Sequence, residues 1–453
     1  MKCKLIALLA GIALIGCGGH SGAAGPDEPL PVVPTELVSP NNRVIYEVNV
    51  RSYSAAGTFA AVKNDLPRLK DLGVDILWLM PIHPVGQQNH NGTLGSPYSV
   101  RDYKAVNPAY GTLTDLKELV QAAHDKKMEV WLDWVGNHTS WDNAWVTEHL
   151  DYYAEKDGVR PYSPEGWNDV IQLDYNNANM RAAMIDAMSF WVKEANIDGF
   201  RCDAASYIPL SFWREARAAI NPVKNITWLA EGDKPEYMDV FDYDYAWDFN
   251  NRLNTFGTDR NVQALSDACK SLFNNTGYST KGRMVFLTNH DLNAYSGTEF
   301  ARYGTATLPL TVLEFTIYDM PLIYNGQEIG MNKSIGLFDN DKVAWTPVNQ
   351  TMSTLIKKMI ALKRSSPALE SGSGRGTLSV LGVNNSNVLA YSRKKGDSEV
   401  VVLLNFGSSP LAVRLSGNLP TGEFTDYLKG GKLTFSADAM ISLPANGYAV
   451  YTK

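Results

Sequence analysis

An arginine and an aspartate lie two positions apart in the stretch GFRCDAASY (199–207). If this stretch is a strand, its alternation places Arg201 and Asp203 on one face and Cys202 on the other. A neighbouring guanidinium lowers the pKa of a carboxyl group, and an ionised carboxylate is suited to act as a nucleophile. The alternative is a structural ion pair at a strand end.

Charged groups also stand where other apolar runs end. Glu231 follows the apolar WLA, and desolvation there raises the pKa of a carboxyl group, which favours a proton donor. His290 and Asp291 close the run FLTNHD, and His138 closes DWVGNH. A single group of this kind is an ordinary cap or solvated turn. Four such strand ends predict one shared pocket, provided that the fold brings the ends together.

The pattern of elements predicts such a fold. From about residue 43 to 365, apolar strand-like runs alternate with amphipathic helical ones. Repeated strand-then-helix units imply parallel strands with helical crossovers, and about eight of them predict an α/β fold, a closed (β/α)8 TIM barrel, over residues 41–367. In such barrels the chemistry lies at the C-terminal ends of the strands. The alternative is a doubly wound sheet, but the chain has no GxGxxG or phosphate-loop signature.

The last part of the chain has a different pattern. Residues 368–453 show alternating, β-branched runs such as SEVVVLLN, with turn residues at short intervals. This pattern predicts a C-terminal antiparallel β-sandwich. Such a domain is either purely structural or glycan-binding.

The four strand ends, in this order, resemble the conserved regions of the α-amylase family, glycoside hydrolase family 13. The resemblance covers residues 44–453 and includes SPYSVRDYKAVNPAYGT and DMPLIYNGQE. It implies that Asp203 is the nucleophile, Glu231 the general acid/base and Asp291 a third acid that binds sugar hydroxyls. A retaining glycosidase needs two carboxyl groups about 5 Å apart, one ionised and one protonated, which agrees with the surroundings of the first two acids.

The resemblance also implies substrate contacts. It indicates that Tyr98 stacks on the sugar beside the scissile bond, and that three basic residues hold hydroxyls or the nucleophile, namely His138, Arg201 and His290. Where typical α-amylases carry Lys-His, this chain has Ser206 and Tyr207 on the leaving-group side of the substrate. Endo-acting starch cleavage is therefore less strongly indicated than retaining α-glucan chemistry in general.

The excursion over residues 139–175 corresponds to the small domain that family members insert after the third strand. Its tryptophans would either stack on sugars or pack within this wall of the cleft, namely Trp141, Trp145 and Trp167. Many relatives bind calcium between this insert and the barrel, and oxygen ligands are matched here by Asn137 and Asp174. A hydrogen-bonded core is the alternative to a calcium site.

Taken together, these features predict a retaining hydrolase of α-1,4 links in starch, maltodextrin or maltooligosaccharides. The alternatives are an α-glucan transglycosylase, a cyclomaltodextrinase or neopullulanase-like enzyme, and a membrane-tethered glycan-binding protein without activity. We expect no nucleotide or redox cofactor and a monomeric protein. With 41 basic and 48 acidic residues, a net charge of −7 and no long run of either sign, the chain lacks the features of a nucleic-acid-binding surface.

The N-terminus resembles an export signal. Lys2 and Lys4 precede an apolar run that is too short to span a bilayer. The following LIGC resembles a bacterial lipoprotein cleavage box, which implies a signal peptide over 1–16 and lipid attachment at Cys17. Residues 17–40, rich in Gly, Pro and Ala, then predict a flexible tether. We therefore expect an exported protein anchored to a bacterial membrane, the outer membrane being favoured.

Overall fold

The computed structural model describes residues 33–34, 39, 41–278 and 281–453. Cys17 and the predicted signal peptide over 1–16 lie outside them. The first ten strands are β1 (Ile45–Val48), β2 (Ile76–Leu79), β3 (Glu129–Val135), β4 (His138–Ser140), β5 (Val170–Gln172), β6 (Gly199–Asp203), β7 (Thr227–Ala230), β8 (Tyr243–Tyr245), β9 (Gly282–Val285) and β10 (Met320–Tyr324). Eight of these strands are parallel and close into a barrel in the order β1-β2-β3-β6-β7-β8-β9-β10. The predicted (β/α)8 barrel is confirmed.

Helices alternate with these strands. The α-helices of the described residues are α1 (Val50–Tyr53), α2 (Phe59–Leu72), α3 (Leu113–Asp125), α4 (Trp145–Glu148), α5 (Ala178–Ala195), α6 (Leu210–Ile220), α7 (Trp247–Asp259), α8 (Val262–Asn274), α9 (Glu299–Tyr303), α10 (Thr307–Thr316) and α11 (Gln350–Ser365). In α3 the buried face has helical spacing, and a capping box between Thr112 and Asp115 fixes where the helix begins. The apolar faces of the longer helices join one core with the outward side chains of the strands.

A second, smaller apolar cluster fills the interior of the barrel. It contains large side chains such as Trp78, Trp131 and Met320. Interior packing of this kind is typical of barrels, whose centre is a core and not a pore. Polar groups that line a site must therefore lie above this layer, at the carboxyl ends of the strands.

An excursion separates β3 from α5. Its centre is the antiparallel hairpin of β4 and β5, in which His138 pairs with Gln172. The helix α4 lies between these two strands in the chain. The excursion stands beside the carboxyl end of β3 and so forms one wall of whatever lies there.

The C-terminal domain is antiparallel. Its strands are β11 (Thr377–Val383), β12 (Val388–Lys395), β13 (Ser398–Asn405), β14 (Leu411–Val413), β15 (Leu415–Ser416), β16 (Glu423–Asp426), β17 (Lys432–Thr434), β18 (Ile441–Leu443) and β19 (Tyr448–Thr452). Seven of them form one sheet, and β14 pairs with β18 in a second, two-stranded sheet. Apolar side chains of both sheets share one cluster, as a sandwich requires.

The other face of the seven-stranded sheet packs on the barrel. The rings of Phe256 and Phe406 lie 4.7 Å apart, and the hydroxyls of Thr316 and Tyr391 are 2.6 Å apart. Arg393 is fully buried and donates to the carbonyl oxygen of Ile317 at 2.9 Å. The main apolar core therefore continues from the barrel into this domain.

The chain reaches the barrel on the side where the strands begin. Arg364 Nε donates to the carbonyl oxygen of Pro34 at 2.9 Å, and Val33 lies against Gly73, just ahead of β2. In the part of the chain that the structure describes, no helix is long and apolar enough to cross a membrane.

Candidate active site

A cavity of about 610 Å3 opens at the carboxyl ends of the barrel strands. Its lining includes seven of the residues expected to be catalytic or to bind substrate, namely Tyr98, His138, Asp203, Tyr207, Glu231, His290 and Asp291. Arg201, which was also expected here, lies beneath them and is fully buried. The structure thus brings together residues that are up to 193 positions apart in the chain, as from Tyr98 to Asp291.

Arg201 links the acids of the pocket. Its Nη1 donates to Asp203 Oδ1 and to Asp133 Oδ1, each at 2.9 Å. Its Nη2 lies 2.9 Å from Glu231 Oε1. The strand register explains part of this arrangement, because Asp133 of β3 pairs with Arg201 of β6. One guanidinium therefore holds the candidate nucleophile and the candidate proton donor together.

The residue after β6 reinforces this link through its backbone. Ala204 has a φ of +44°, in the left-handed region that side chains other than glycine rarely adopt. In this conformation the N–H of Ala204 donates to Glu231 Oε2 at 2.8 Å. Strained backbone of this kind is concentrated at functional sites.

The two central carboxyl groups have raised pKa values. Burial raises the pKa of Asp203 to about 6, against the opposing effect of Arg201. Burial also raises the pKa of Glu231 to about 7, and the nearby negative charges of Asp203 and Asp291 add to this effect. The sequence-based expectation that Arg201 depresses the pKa of Asp203 is therefore wrong in its net direction, because desolvation outweighs the ion pair. The relative order, with Glu231 the weaker acid, is as expected.

His290 joins Asp291 to the barrel interior. Its Nε2 lies 2.8 Å from the hydroxyl of Tyr98 and 3.3 Å from Asp291 Oδ2. Its Nδ1 contacts the carboxylate of Glu47, and the rings of His290 and Tyr98 are stacked with centroids 5.2 Å apart. The hydroxyl of Tyr98 also donates to Asp133 Oδ2 at 3.0 Å.

His138 has a different environment. Burial lowers its pKa to about 4, so the ring is neutral near pH 7. Its Nε2 donates to the carbonyl oxygen of Tyr98 at 3.2 Å, and the Asn137 side-chain amide approaches Nδ1 at 3.3 Å. A neutral imidazole with contacts at both ring nitrogens is suited to stabilise the wall of the pocket and to present its edge to a ligand.

The three tryptophans of the insert occupy different positions. Trp167 lines the cavity, where its ring lies 5.5 Å from His138 and 6.3 Å from Tyr207. Tyr207 is 58% exposed at the rim. Trp141 and Trp145 are not among the lining residues: Trp141 bonds to the backbone of the insert, and Trp145 packs on Tyr103. Of the three, only Trp167 is placed to contact a sugar.

The expected calcium ligands do not form a cation site. Gln172 Nε2 lies 3.0 Å from both Oδ1 and the carbonyl oxygen of Asn137, and 3.3 Å from the carbonyl oxygen of Leu173. Asp174 Oδ1 accepts from the backbone and the side-chain nitrogen of Asn176. Amide donors thus occupy the oxygens that a cation would need, and no cluster of three acidic, His or Cys side chains suited to a metal occurs among the described residues. The alternative of a hydrogen-bonded core accounts for Asn137 and Asp174.

Two buried acids of the site carried no assignment in the sequence analysis. Glu47 lies in the middle of β1 and Asp133 near the end of β3, and both are fully buried. Each interrupts an apolar strand run, IYEV in β1 and EVWLDWV in β3. An acidic residue inside such a run is itself a signal, since burying a carboxylate requires a specific partner.

Comparisons with known proteins agree with this geometry. Residues 48–364 match the family model of the alpha amylase catalytic domain, and residues 382–451 match that of the alpha amylase C-terminal all-beta domain. The chain is 26% identical to Alpha-amylase MalA of Haloarcula japonica, with 89% of this chain and 62% of that protein covered. The chain therefore spans less than two thirds of the length of that relative.

Solved structures show the same architecture. The maltogenic alpha-amylase AmyB from Thermotoga neapolitana superposes with a TM-score of 0.82 at 27% identity, covering 91% of this chain and 99% of that one. An alpha-amylase from Lactobacillus plantarum superposes with a TM-score of 0.81 at 30% identity, with the same shares covered. Because the catalytic-domain model alone matches well over half of the sequence, the chain belongs to the α-amylase family.

Proposed function

We propose that the protein is a retaining glycoside hydrolase that cleaves α-1,4-glucosidic bonds of starch, maltodextrin or maltooligosaccharides. The observation that carries the proposal is the single guanidinium of Arg201, which contacts both Asp203 and Glu231 at the floor of one cavity. A double displacement needs two carboxyl groups that flank the same anomeric carbon and lie about 5 Å apart. It also needs unequal pKa values, and Glu231 has the higher one.

The first step forms a glycosyl–enzyme ester. Glu231 gives its proton to the glycosidic oxygen as the bond between that oxygen and C1 breaks, and a carboxylate oxygen of Asp203 forms a bond to C1. In the second step Glu231 takes a proton from water, the water oxygen bonds to C1, and the ester to Asp203 breaks. Two inversions at C1 retain the α-configuration.

The other polar residues bind and distort the sugar. Asp291 lines the cavity with His290 beside it, so that the pair presents a carboxylate and a ring edge to hydroxyl groups. Tyr98 is half-buried and offers a ring face for the sugar at the scissile bond. Hydrogen bonds that strengthen as the ring distorts contribute to the transition state.

Two variants test the assignment with maltoheptaose as substrate. Asp203→Asn and Glu231→Gln should each lower kcat by several orders of magnitude with an unchanged thermal unfolding midpoint, because each removes a reacting group and retains its shape. Asp186→Asn, an exposed acid paired with Lys104, is the matched control. Near-normal kcat in either active-site variant would refute the assignment.

Product analysis tests the reaction and the substrate class. Proton NMR of the first product should show the α-anomer, whereas an initial β-anomer would contradict the double displacement. Chromatography of products from starch, pullulan, cyclodextrin and maltoheptaose separates hydrolysis from transfer. Products longer than the maltoheptaose supplied would identify a transglycosylase, and preferred cleavage of cyclodextrin would identify a cyclomaltodextrinase-like enzyme.

We also propose that the protein is exported and lipid-anchored at Cys17, on the support of the sequence signals alone. Mass spectrometry of the mature N-terminus should find an acylated Cys17 with residues 1–16 removed. Cys17→Ala should move the protein from the membrane fraction to the soluble fraction. An unmodified cysteine in a membrane-free protein would contradict the proposal.

A further inference from the structure

Glu47 is a carboxylate inside the barrel with no exposed surface. It lies on β1, two residues after Ile45, and both side chains belong to the inward face, where Ile45 joins the interior apolar cluster. Both of its oxygens face the same distant residue. His290 Nδ1 donates to Oε1, and the backbone N–H of His290 approaches Oε2 at 3.3 Å. Because both carboxylate oxygens of this buried acid contact one histidine, its side chain fixes the position of that histidine.

Hydrogen-bond accounting fixes the protonation of the His290 ring. Asp133 receives donors from Arg201 and from Trp78, so it is an acceptor, and the one proton of the Tyr98 hydroxyl points to it. The Tyr98 oxygen must then accept from His290 Nε2, which lies 2.8 Å away. Nδ1 in turn faces a carboxylate. With Asp133 and Glu47 ionised, both ring nitrogens therefore carry hydrogen and the ring is an imidazolium.

We propose that Glu47 is a positioning residue that keeps His290 doubly protonated, so that Nε2 remains an N–H donor beside Asp291 and the substrate. This inference rests on the proposed hydrolysis only for its kinetic consequences. The hydrogen bonds of His290 exist in the free protein. Without the negative charge of Glu47, the ring would lose a proton in the working pH range, and the Tyr98 oxygen would lose its Nε2 donor.

The charges around His290 support this role. The groups that face it are Glu47 on β1, Tyr98, Asp133 on β3, Arg201 on β6 and the adjacent Asp291. Burial alone would lower the pKa of His290, and Arg201 acts in the same direction, but Asp291 and Glu47 outweigh them and raise the pKa to about 9. Of the two carboxylates, Asp291 is 37% exposed on its side chain and Glu47 is fully buried.

Histidine NMR tests the inference in the unaltered protein. Nitrogen-15 spectra of histidine-labelled protein, assigned by the signal that His290→Gln removes, should show a doubly protonated ring at pH 7.5. A neutral ring for His290 in the wild-type protein would overturn the proposal whether or not any variant folds and whether or not the enzyme is a hydrolase. In Glu47→Gln the same ring should titrate at a pH lower by about one to three, since one contacting charge is removed.

A double-mutant cycle tests how Glu47 acts. Glu47→Gln should lower kcat/KM on maltoheptaose roughly ten- to a hundred-fold and move the alkaline limb of its pH profile to lower pH. Once His290→Gln is present, adding Glu47→Gln should cost almost nothing, because its effect passes through the ring. Equal losses in both backgrounds would mean a merely structural role and would overturn the proposal.

Two further variants separate charge from packing. Glu47→Asp retains the charge and should keep His290 protonated, even where the shorter side chain lowers activity. Glu299→Gln replaces another buried acid, outside the cavity lining, and should leave the His290 signal unchanged. Suppose that no glucan is hydrolysed, but that His290 is doubly protonated in the wild-type protein and neutral in the Glu47→Gln variant. The proposed function then fails and the positioning role stands.

Discussion

Ala204 occupies an unfavourable backbone conformation between the two central acids. Its N–H bonds to Glu231, while the preceding residue is Asp203 itself. Left-handed backbone costs about 1–2 kcal/mol for a residue that carries a Cβ, so surrounding contacts must enforce it. The neighbouring backbone supplies them, since Ala205 N–H donates to the Glu231 carbonyl oxygen at 3.2 Å and Glu231 N–H donates to the Cys202 carbonyl oxygen at 2.9 Å. The backbone on both sides of Asp203 is thus hydrogen-bonded to Glu231, in addition to the contact that both acids make with Arg201.

The raised pKa values predict a slightly acidic activity optimum. Asp203 must be ionised, so activity should fall as the pH drops through about 6, whereas Glu231 must be protonated, so activity should fall as the pH rises through about 7. A profile of kcat/KM against pH on maltoheptaose should therefore be bell-shaped with its maximum near these values. The limbs belong to the interacting pair, since one guanidinium joins both groups. A maximum above pH 8 would contradict the assigned roles.

The acids that could be predicted from the sequence are those that end apolar runs. Asp203, Glu231 and Asp291 were identified because a charged residue at the end of an apolar run can be recognised in the sequence itself. Glu47 was not found, because its partner His290 is 243 residues away and strand periodicity shows only which face a residue occupies. The direction of the pKa shift of Asp203 was predicted wrongly for a related reason. The burial of its carboxyl group depends on the whole barrel, whereas the sequence shows only its neighbour Arg201.

Among the elements, the hairpin of β4 and β5 gives the pocket one of its walls. Trp167 reaches the cavity from the loop that precedes β5, and a ring at this position can cover one face of a glucosyl unit. The sequence could not distinguish it from Trp141 and Trp145, because the sequence of this insert shows no period that assigns its residues to faces.

Removal of the Trp167 ring should weaken binding and leave the chemistry intact. Trp167→Ala should raise KM for maltoheptaose about five-fold at nearly constant kcat, a loss of roughly 1 kcal/mol of stacking. Trp167→Phe retains a ring and should stay within about two-fold of wild type. An unchanged KM in Trp167→Ala would show that the ring only packs against His138 and Tyr207.

The base of the same hairpin should not depend on a metal ion. The amide of Gln172 already fills the space among the oxygens of Asn137 and Leu173. Treatment with EDTA should therefore leave the thermal unfolding midpoint and kcat unchanged, and Gln172→Ala should lower the midpoint, because buried acceptors lose their donor at a cost of about 1–3 kcal/mol. Loss of activity in EDTA that added calcium restores would reverse this conclusion.

At the scale of the whole molecule, the barrel and the C-terminal sheet share one apolar core, so we expect them to unfold together. Their shared core includes Tyr391, Phe406 and Val450 from the sheet and Phe256 from the barrel. The sandwich was predicted from alternation in the sequence, but its docking was not, since nothing along the chain marks which face of a sheet meets a helix. A structural role for this domain follows from the contacts, whereas glycan binding stays a prediction.

Substitution of a buried arginine between the barrel and the C-terminal sheet tests whether the two parts unfold together. Arg393→Met should lower the free energy of unfolding by about 1–3 kcal/mol, since the carbonyl oxygen of Ile317 loses its donor, and the protein should still unfold in one transition. Calorimetry provides the measurement, and Arg414→Met, an exposed arginine of the same domain, serves as the control. Two separate transitions in the wild-type protein, with only one sensitive to Arg393→Met, would show independent domains.

Val33 and Pro34 lie where the barrel strands begin, and the cavity opens where they end. If lipid is attached at Cys17, the tether therefore joins the protein on the side opposite the mouth of the cavity. The 16 residue steps from Cys17 to Val33 allow a separation of at most about 58 Å. A tether in this position would leave the mouth open to a granule or polymer that is too large to enter the space between the protein and the membrane.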